Sequence, residues 1–147
     1  MTVRRILQRK GSEVVTARPD KPIAALAQLF KSQRIGAAVV VDDGGRILGL
    51  ASERDIVHHF AECGEKGLAS GVVADIMTSP VQTCGPDDKL ARVMEQMTRH
   101  RVRHLPVVEG GRLIGIVSIG DAIKHRLEET KLEIDVLRDA ARARPVG

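Results

Sequence analysis

Gly110-Gly111-Arg112-Leu113-Ile114-Gly115-Ile116-Val117-Ser118-Ile119-Gly120-Asp121 holds a turn, a strand and the start of a helix in one stretch. Gly110-Gly111 predicts a hairpin turn, because glycine enters positive φ without a steric penalty. Leu113 to Val117 is an aliphatic run long enough for one buried strand. Ser118 stops it, and Ala122, Ile123 and Leu127 open a helical spacing. Ser118 to Asp121 therefore falls where a strand hands over to a helix N-terminus. Backbone N–H groups are unpaired there and the helix dipole is positive, which suits an anion. Ser118 adds a hydroxyl, Gly120 lets backbone approach closely, and Asp121 offers a carboxylate able to accept from two sugar hydroxyls. Taken singly, the pattern is also a common helix cap.

The chain contains it twice. Gly44-Gly45-Arg46-Ile47-Leu48-Gly49-Leu50-Ala51-Ser52-Glu53-Arg54-Asp55 matches the later stretch position for position. The repetition extends outward. Val3-Arg4-Arg5-Ile6-Leu7 resembles Val73-Ala74-Asp75-Ile76-Met77, a lead-in segment with matching apolar positions. Thr16 and Thr83 each end a short extended piece, followed by Pro19-Asp20 and Pro86-Asp87, read as helix starts with Asp as N-cap. Ile23, Leu26, Ala27 and Phe30 form one helical stripe, and Leu90, Val93, Met94 and Met97 the other. Strands are expected at Ala37 to Val41 and Ile47 to Ala51, and again at His104 to Val108 and Leu113 to Val117. Asp43 is an extra residue in the first turn, and Pro106 requires a strand position whose missing N–H faces away from the ladder. A helix closes each copy, from Arg54 to about Ala61 and from Gly120 onward.

These elements give an α+β fold: two β-α-β-β-α repeats packed sheet to sheet with pseudo-two-fold symmetry, plus a long C-terminal helix. Each repeat alone would leave one sheet face uncovered. The repeats span residues 1–61 and 73–127, with a glycine-rich linker at 62–72 and a helical extension at 128–147, uninterrupted until Pro145. The thin apolar stripe of that extension, Leu127, Leu132, Ile134 and Leu137, suits docking on its own domain or on a second subunit.

The composition narrows the function. Of 147 residues, 43% are hydrophobic and 29% charged, so a core can form in one domain or two small ones. Lys plus Arg number 23 against 19 acidic residues, a net +4 with charges interspersed, apart from Arg99 to His104. This balance favours phosphate-bearing small molecules at least as much as nucleic acid. Met1 to Lys10 has charge but no long apolar run behind it, and Ile35 to Val41 is too short to span a bilayer, so a cytoplasmic protein is expected. Cys63 and Cys84 read as free thiols of a reducing compartment. Trp and Tyr are absent, so a purine would be walled by aliphatic side chains or backbone. His58 and His59 diverge by about 100° on a helix and do not suit one metal. Neither a metal site nor a catalytic constellation is expected.

The tandem copies, each ending in Gly–aliphatic–x–Ser–x–x–Asp, resemble a pair of CBS domains, the Bateman module. The resemblance covers Met1 to Leu127. It is strengthened by Asp75-Ile76-Met77-Thr78, Arg103-His104-Leu105-Pro106-Val107-Val108 and the two Ser–x–x–Asp segments, which look like small bacterial stand-alone members. It implies a non-enzymatic regulatory module that dimerises and binds an adenosyl ligand: AMP, ADP, ATP, S-adenosylmethionine or an NAD-type dinucleotide such as NAD(H). No required cofactor is implied. Carried over by position, Asp55 and Asp121 would hold ribose hydroxyls, Ser52 and Ser118 would contact phosphate, and Gly120 would bring backbone close. Thr16 and Thr83 would border the ribose or phosphate end. Backbone at Ile35-Gly36-Ala37 and Val102-Arg103-His104, with Met77 and Val81, would flank adenine. Arg54 and Arg103 would pair with phosphate, since guanidinium forks fit its oxygens. Glu53 places a like charge near any phosphate at the first site, so the site at Ser118 and Asp121 is expected to bind the tighter. Competing readings are a nucleic-acid-binding protein using Arg99, Arg101 and Arg103, and a structural dimer with vestigial sites.

Overall fold

The computed structural model describes residues 1–11 and 13–143; the end of the expected extension, with Pro145, lies outside them. In chain order the elements are α1 (Val3–Lys10), β1 (Thr16–Ala17), α2 (Ile23–Gln33), β2 (Ala37–Val41), β3 (Ile47–Ser52), α3 (Glu53–Ser70), α4 (Val73–Ile76), α5 (Leu90–His100), β4 (His104–Glu109), β5 (Arg112–Ser118) and α6 (Ile119–Ala143). The hairpins form where the glycine pairs stand. Gly110 and Gly111 have φ of 59° and 77°, so Glu109 pairs Arg112 across a two-residue turn. In the first copy the Asp42 carboxylate organises the longer turn, accepting from Gly44 and Arg46 N–H at 2.9 Å each.

The tandem repeats form a pair of mixed helix and strand with a long C-terminal helix. The first sheet runs β1-β2-β3, with β1 parallel and β3 antiparallel to β2. Ala38 and Val40 join the core beneath α2, and Ala37, Val39 and Val41 on the opposite face are buried too, as a sheet covered on both sides requires. The second sheet has only β4 and β5. No strand forms at Gln82-Thr83; instead Cys84 makes a one-residue parallel bridge, donating to the Pro106 carbonyl (3.0 Å) and accepting from Val108 N–H (2.9 Å). Pro106 thus turns its imide nitrogen toward that short outer bridge and spares the ladder with β5.

Three expected helix boundaries move. α2 and α5 begin at Ile23 and Leu90, after Pro22 and Lys89, neither of which supplies a side-chain cap. The acceptor comes from elsewhere: Ile23 N–H donates to the Gly71 carbonyl (3.1 Å) and Leu90 N–H to the Met1 carbonyl (3.0 Å). Residues just ahead of α4 and α1 satisfy the helix starts, so Asp20 and Asp87 are not N-caps. Asp87 pairs with Arg4 at 3.3 Å instead. Ala27 is exposed, so the α2 stripe is Ile23, Leu26 and Phe30 alone. The third boundary is that of α3, which continues through the expected linker to Ser70 and kinks at Gly64, whose φ of 69° needs a glycine.

The lead-in helices are exchanged. Val3, Ile6 and Leu7 of α1 pack with Leu90, Met97, Leu105 and Val117 of the second repeat. Val73 and Ile76 of α4 pack with Ile23, Leu26, Phe30 and Ala51 of the first. The sequence repeats are therefore not the packing units. This exchange explains the repeated glycine of β3 and β5. A Cβ on Gly49 would lie 2.8 Å from Met77 Sδ and 2.9 Å from the Thr78 carbonyl, and one on Gly115 would lie 2.7 Å from the tip of Leu7. The Leu7 tip can rotate away, whereas the Thr78 backbone cannot. Gly49→Ala is expected to cost about 1–3 kcal/mol of stability by overpacking, and Gly115→Ala less. Urea unfolding of both variants checks the order; an equal or reversed order contradicts the exchange.

Candidate functional site

Each Ser–x–x–Asp segment folds as a capping box at the handover from strand to helix. In the first, Ser52 N–H and Oγ donate to Asp55 Oδ2 at 2.8 and 3.0 Å, and Asp55 N–H donates to Ser52 Oγ at 3.4 Å. In the second, Ser118 N–H donates to Asp121 Oδ2 at 2.9 Å and Asp121 N–H to Ser118 Oγ at 3.0 Å. The aspartates are thus caps, as the simplest reading of the motif requires. The same bonds hold each carboxylate in one orientation at the positive end of a helix. At Asp55 both bonds fall on Oδ2, and Oδ1 accepts none among the described residues.

Arg34 and Arg101 end α2 and α5 in the left-handed region, each with φ 54°. The chain then turns back to the helix starts: Glu53 N–H donates to the Gly36 carbonyl (3.0 Å), and Ile119 N–H to the Arg103 carbonyl (2.8 Å). Gly36 lies between Glu53 and His104; a Cβ there would be 3.8 Å from the Glu53 carboxyl and 4.0 Å from His104 Nε2.

A cleft of about 640 Å³ opens here, within the range of small-molecule sites. Of the residues expected from sequence, it gathers Gly36, Ser52, Arg54, Asp55, Val81, Val102, Arg103 and His104. Both repeats contribute. Leu50, Thr78, Pro80, Gln82 and His58 line it as well and are not expected from the sequence; Arg101, expected only as a nucleic-acid contact, lines it too. Thr78 is positioned by β3, with Leu50 N–H donating to its carbonyl at 3.1 Å and its own N–H donating back at 2.9 Å. That pairing follows from the exchange of α4, which the sequence repeats do not display. His58 faces the cleft, while His59 Nε2 sits 3.3 Å from the Gly67 carbonyl near the kink of α3.

Thr16 and Thr83 are exposed and line none of the clefts described here; the Thr83 carbonyl accepts from Gln96 at 3.0 Å. Ile35 and Met77 pack against the core of the first repeat, Ala37 is buried in β2, and none of the three lines the cleft. Ser118 and Gly120 likewise line no described cleft. Asp121 belongs to a separate hollow of about 420 Å³ with Ile6, Arg9, Lys10, Lys124, His125 and Glu128. There Lys10 Nζ reaches Asp121 Oδ2 at 2.6 Å.

Charge in the main cleft is mixed. Arg54, Arg101 and Arg103 face Glu53 and Asp55. Burial, with the Lys10 cation next, holds the His104 imidazole below its ordinary range, so it is neutral at neutral pH. At Asp121 burial would push the carboxyl up, but the hydrogen bonds and charge of Lys10 and the Ser118 N–H outweigh it and hold it below the usual carboxylate range. Arg99 is set apart on α5, paired with Glu95 at 3.3 Å, so the three arginines do not form one outward stripe. No helix among the described residues is long and apolar enough to cross a membrane.

Known proteins resemble this chain in sequence and in fold. The curated CBS domain-containing protein YhcV of Bacillus subtilis is 31% identical over 116 residues, covering 79% of this chain and 81% of YhcV. A crystal structure of a CBS-domain-containing protein from Agrobacterium tumefaciens superposes with a TM-score of 0.83 at 43% identity, covering 86% of this chain and 99% of that one. The CBS domain pair of protein MJ0100, solved in complex with 5′-methylthioadenosine and S-adenosyl-L-methionine, superposes with a TM-score of 0.75 at 26% identity, covering 89% and 98%. The CBS-domain family model matches residues 3–62 and 73–128. The model match over both repeats and the similarity to YhcV place this chain in the CBS-domain family, as a tandem pair.

Proposed function

We propose that the chain is a regulatory module that binds an adenosine-containing nucleotide in the cleft at Asp55. The carrying observation is the joint presence in one hollow of a fixed carboxylate, Asp55, and three guanidinium groups, Arg54, Arg101 and Arg103. A carboxylate held at a helix start accepts from the two adjacent hydroxyls of a ribose. Guanidinium forks match phosphate oxygens, with the Ser52 segment beside them. Leu50, Pro80, Val81 and Val102 give apolar walls to a purine that has no Trp or Tyr to stack on. The solved pair of MJ0100 with its two adenosyl ligands supports this ligand class. Arg101 and Arg103 turned into the cleft favour phosphate of a small ligand over nucleic acid.

The affinity order proposed here reverses the one expected from Glu53. The Asp55 cleft is the larger, and the Asp121 carboxylate already holds Lys10. A second copy of the chain is proposed to cover the outer helices. Ile123, Leu127, Ile134 and Leu137 follow one face of α6 and are 45–69% exposed, and Val57 and Phe60 of α3 are exposed too. Such an area of apolar surface suits an interface between copies.

A direct test uses the missing aromatics. Without Trp or Tyr the purified protein barely absorbs in the near ultraviolet. A band near 260 nm that passes a filter after denaturation, with a nucleotide mass in the filtrate, is the expected result. Protein that carries none and shows no thermal stabilisation by AMP, ATP or NAD at millimolar concentration contradicts the reading.

A further inference from the structure

The two repeats place different groups at the same point of the fold. Beside β3, the chain after α4 is extended, and Thr78 N–H donates to the Leu50 carbonyl at 2.9 Å. α4 has only four residues, so no helix end reaches Asp55 from this side. α1 has eight residues and stays helical past the equivalent point. Its last residue, Lys10, sends Nζ to the carbonyl of Ile116, the counterpart of Leu50, at 2.9 Å. The same ammonium meets Asp121 Oδ2 at 2.6 Å. One residue earlier, Arg9 pairs with Glu128 of α6. Two ion pairs therefore strap the end of α1 across the second hollow. Among the described residues, Asp55 has no ion-pair partner.

An ammonium donating to a carboxylate takes the place of a hydroxyl donor, and with a charge-assisted bond it competes strongly for that oxygen. Lys10 remains about a third exposed, so it is a displaceable cover and not a core contact. We infer that Lys10 is a built-in competitor for the second nucleotide position, which leaves the chain with one working site at Asp55 and one latent site at Asp121. The inference rests on the reading that the equivalent carboxylate, Asp55, receives a ribose. Repeat identity does not by itself set the stoichiometry; the length of the lead-in helix and its last side chain do.

Equilibrium dialysis with AMP on the full chain tests this. Lys10→Met keeps the side-chain length and removes the charge, and Lys10→Gln is a second route to the same change. Wild type is expected to bind one AMP per chain, Asp55→Asn none, Lys10→Met two, and Lys10→Met/Asp55→Asn one. Second-site affinity should rise at least tenfold over wild type in both Lys10 variants. Both variants remaining at the wild-type stoichiometry overturns the inference, as does wild type binding two AMP. The underlying reading of Asp55 fails separately, through an Asp55→Asn protein that still binds as wild type does. In that case the site gained on Lys10→Met decides the competitor role alone.

Discussion

Asp55→Ala is expected to weaken AMP binding by roughly 30- to 700-fold. A carboxylate accepting two ribose hydroxyls makes two charge-assisted hydrogen bonds, and losing them costs about 2–4 kcal/mol in sum. The residue is also a helix cap, since its Oδ2 accepts from Ser52 N–H at 2.8 Å. Part of any loss would then come from fraying of α3, for which capping studies give about 0.5–2 kcal/mol. Asp55→Asn separates the two effects, because its amide oxygen still accepts from Ser52 while the charge is gone. Calorimetric titration of AMP should show both variants strongly weakened, with Asp55→Asn near wild type in thermal stability. If Asp55→Asn binds within threefold of wild type, the carboxylate is a cap alone and the ribose assignment fails.

Ile6→Ala is expected to cost about 2–5 kcal/mol of stability, the usual penalty for emptying a buried aliphatic site. Ile6 is 4% exposed and packs against the second repeat, not the one that follows it in sequence. The location of the damage is the sharper expectation. Amide exchange should accelerate first in α5, β4 and β5, and the β1-β2-β3 sheet should retain its protection longer. The mirror variant Ile76→Ala should weaken α2 and β1-β2-β3 first. Exchange that accelerates first in β1-β2-β3 of the Ile6→Ala protein contradicts the exchanged packing.

Much of this fold is written in local signals. Gly110-Gly111 demands a turn because its φ values are positive, and the five-residue aliphatic runs have strand length. The spacing of Leu90, Val93 and Met97 turns one helix face inward. Features set by long-range contacts were not legible. Asp20 and Asp87 have the chemistry of N-caps, but the Gly71 and Met1 carbonyls had already satisfied the helix starts. The glycines of 62–72 look like a linker, yet α3 packs on α2 and absorbs its irregularity in the single kink at Gly64.

The candidate site divides in the same way. Ser52, Asp55, Arg54 and Arg103, which line the cleft, stand out in the sequence because the motif repeats and the arginines flank it. Thr78, Pro80 and Gln82 were missed, since they reach the cleft only through the exchange of α4. Lys10 was missed for a related reason. As sequence it is one more cation at a helix C-terminus; only the fold brings it to Asp121. Thr16 and Thr83 were assigned from their place in the repeat, but both side chains are exposed and line no described cleft.

A crystal structure of the full chain grown with saturating AMP tests the central claim most directly. The expected map places the ribose hydroxyls on the Asp55 carboxylate, adenine against Val81 and Val102, and the phosphate near Arg54 and Arg103. AMP bound elsewhere, or an empty Asp55 cleft at saturation, contradicts it.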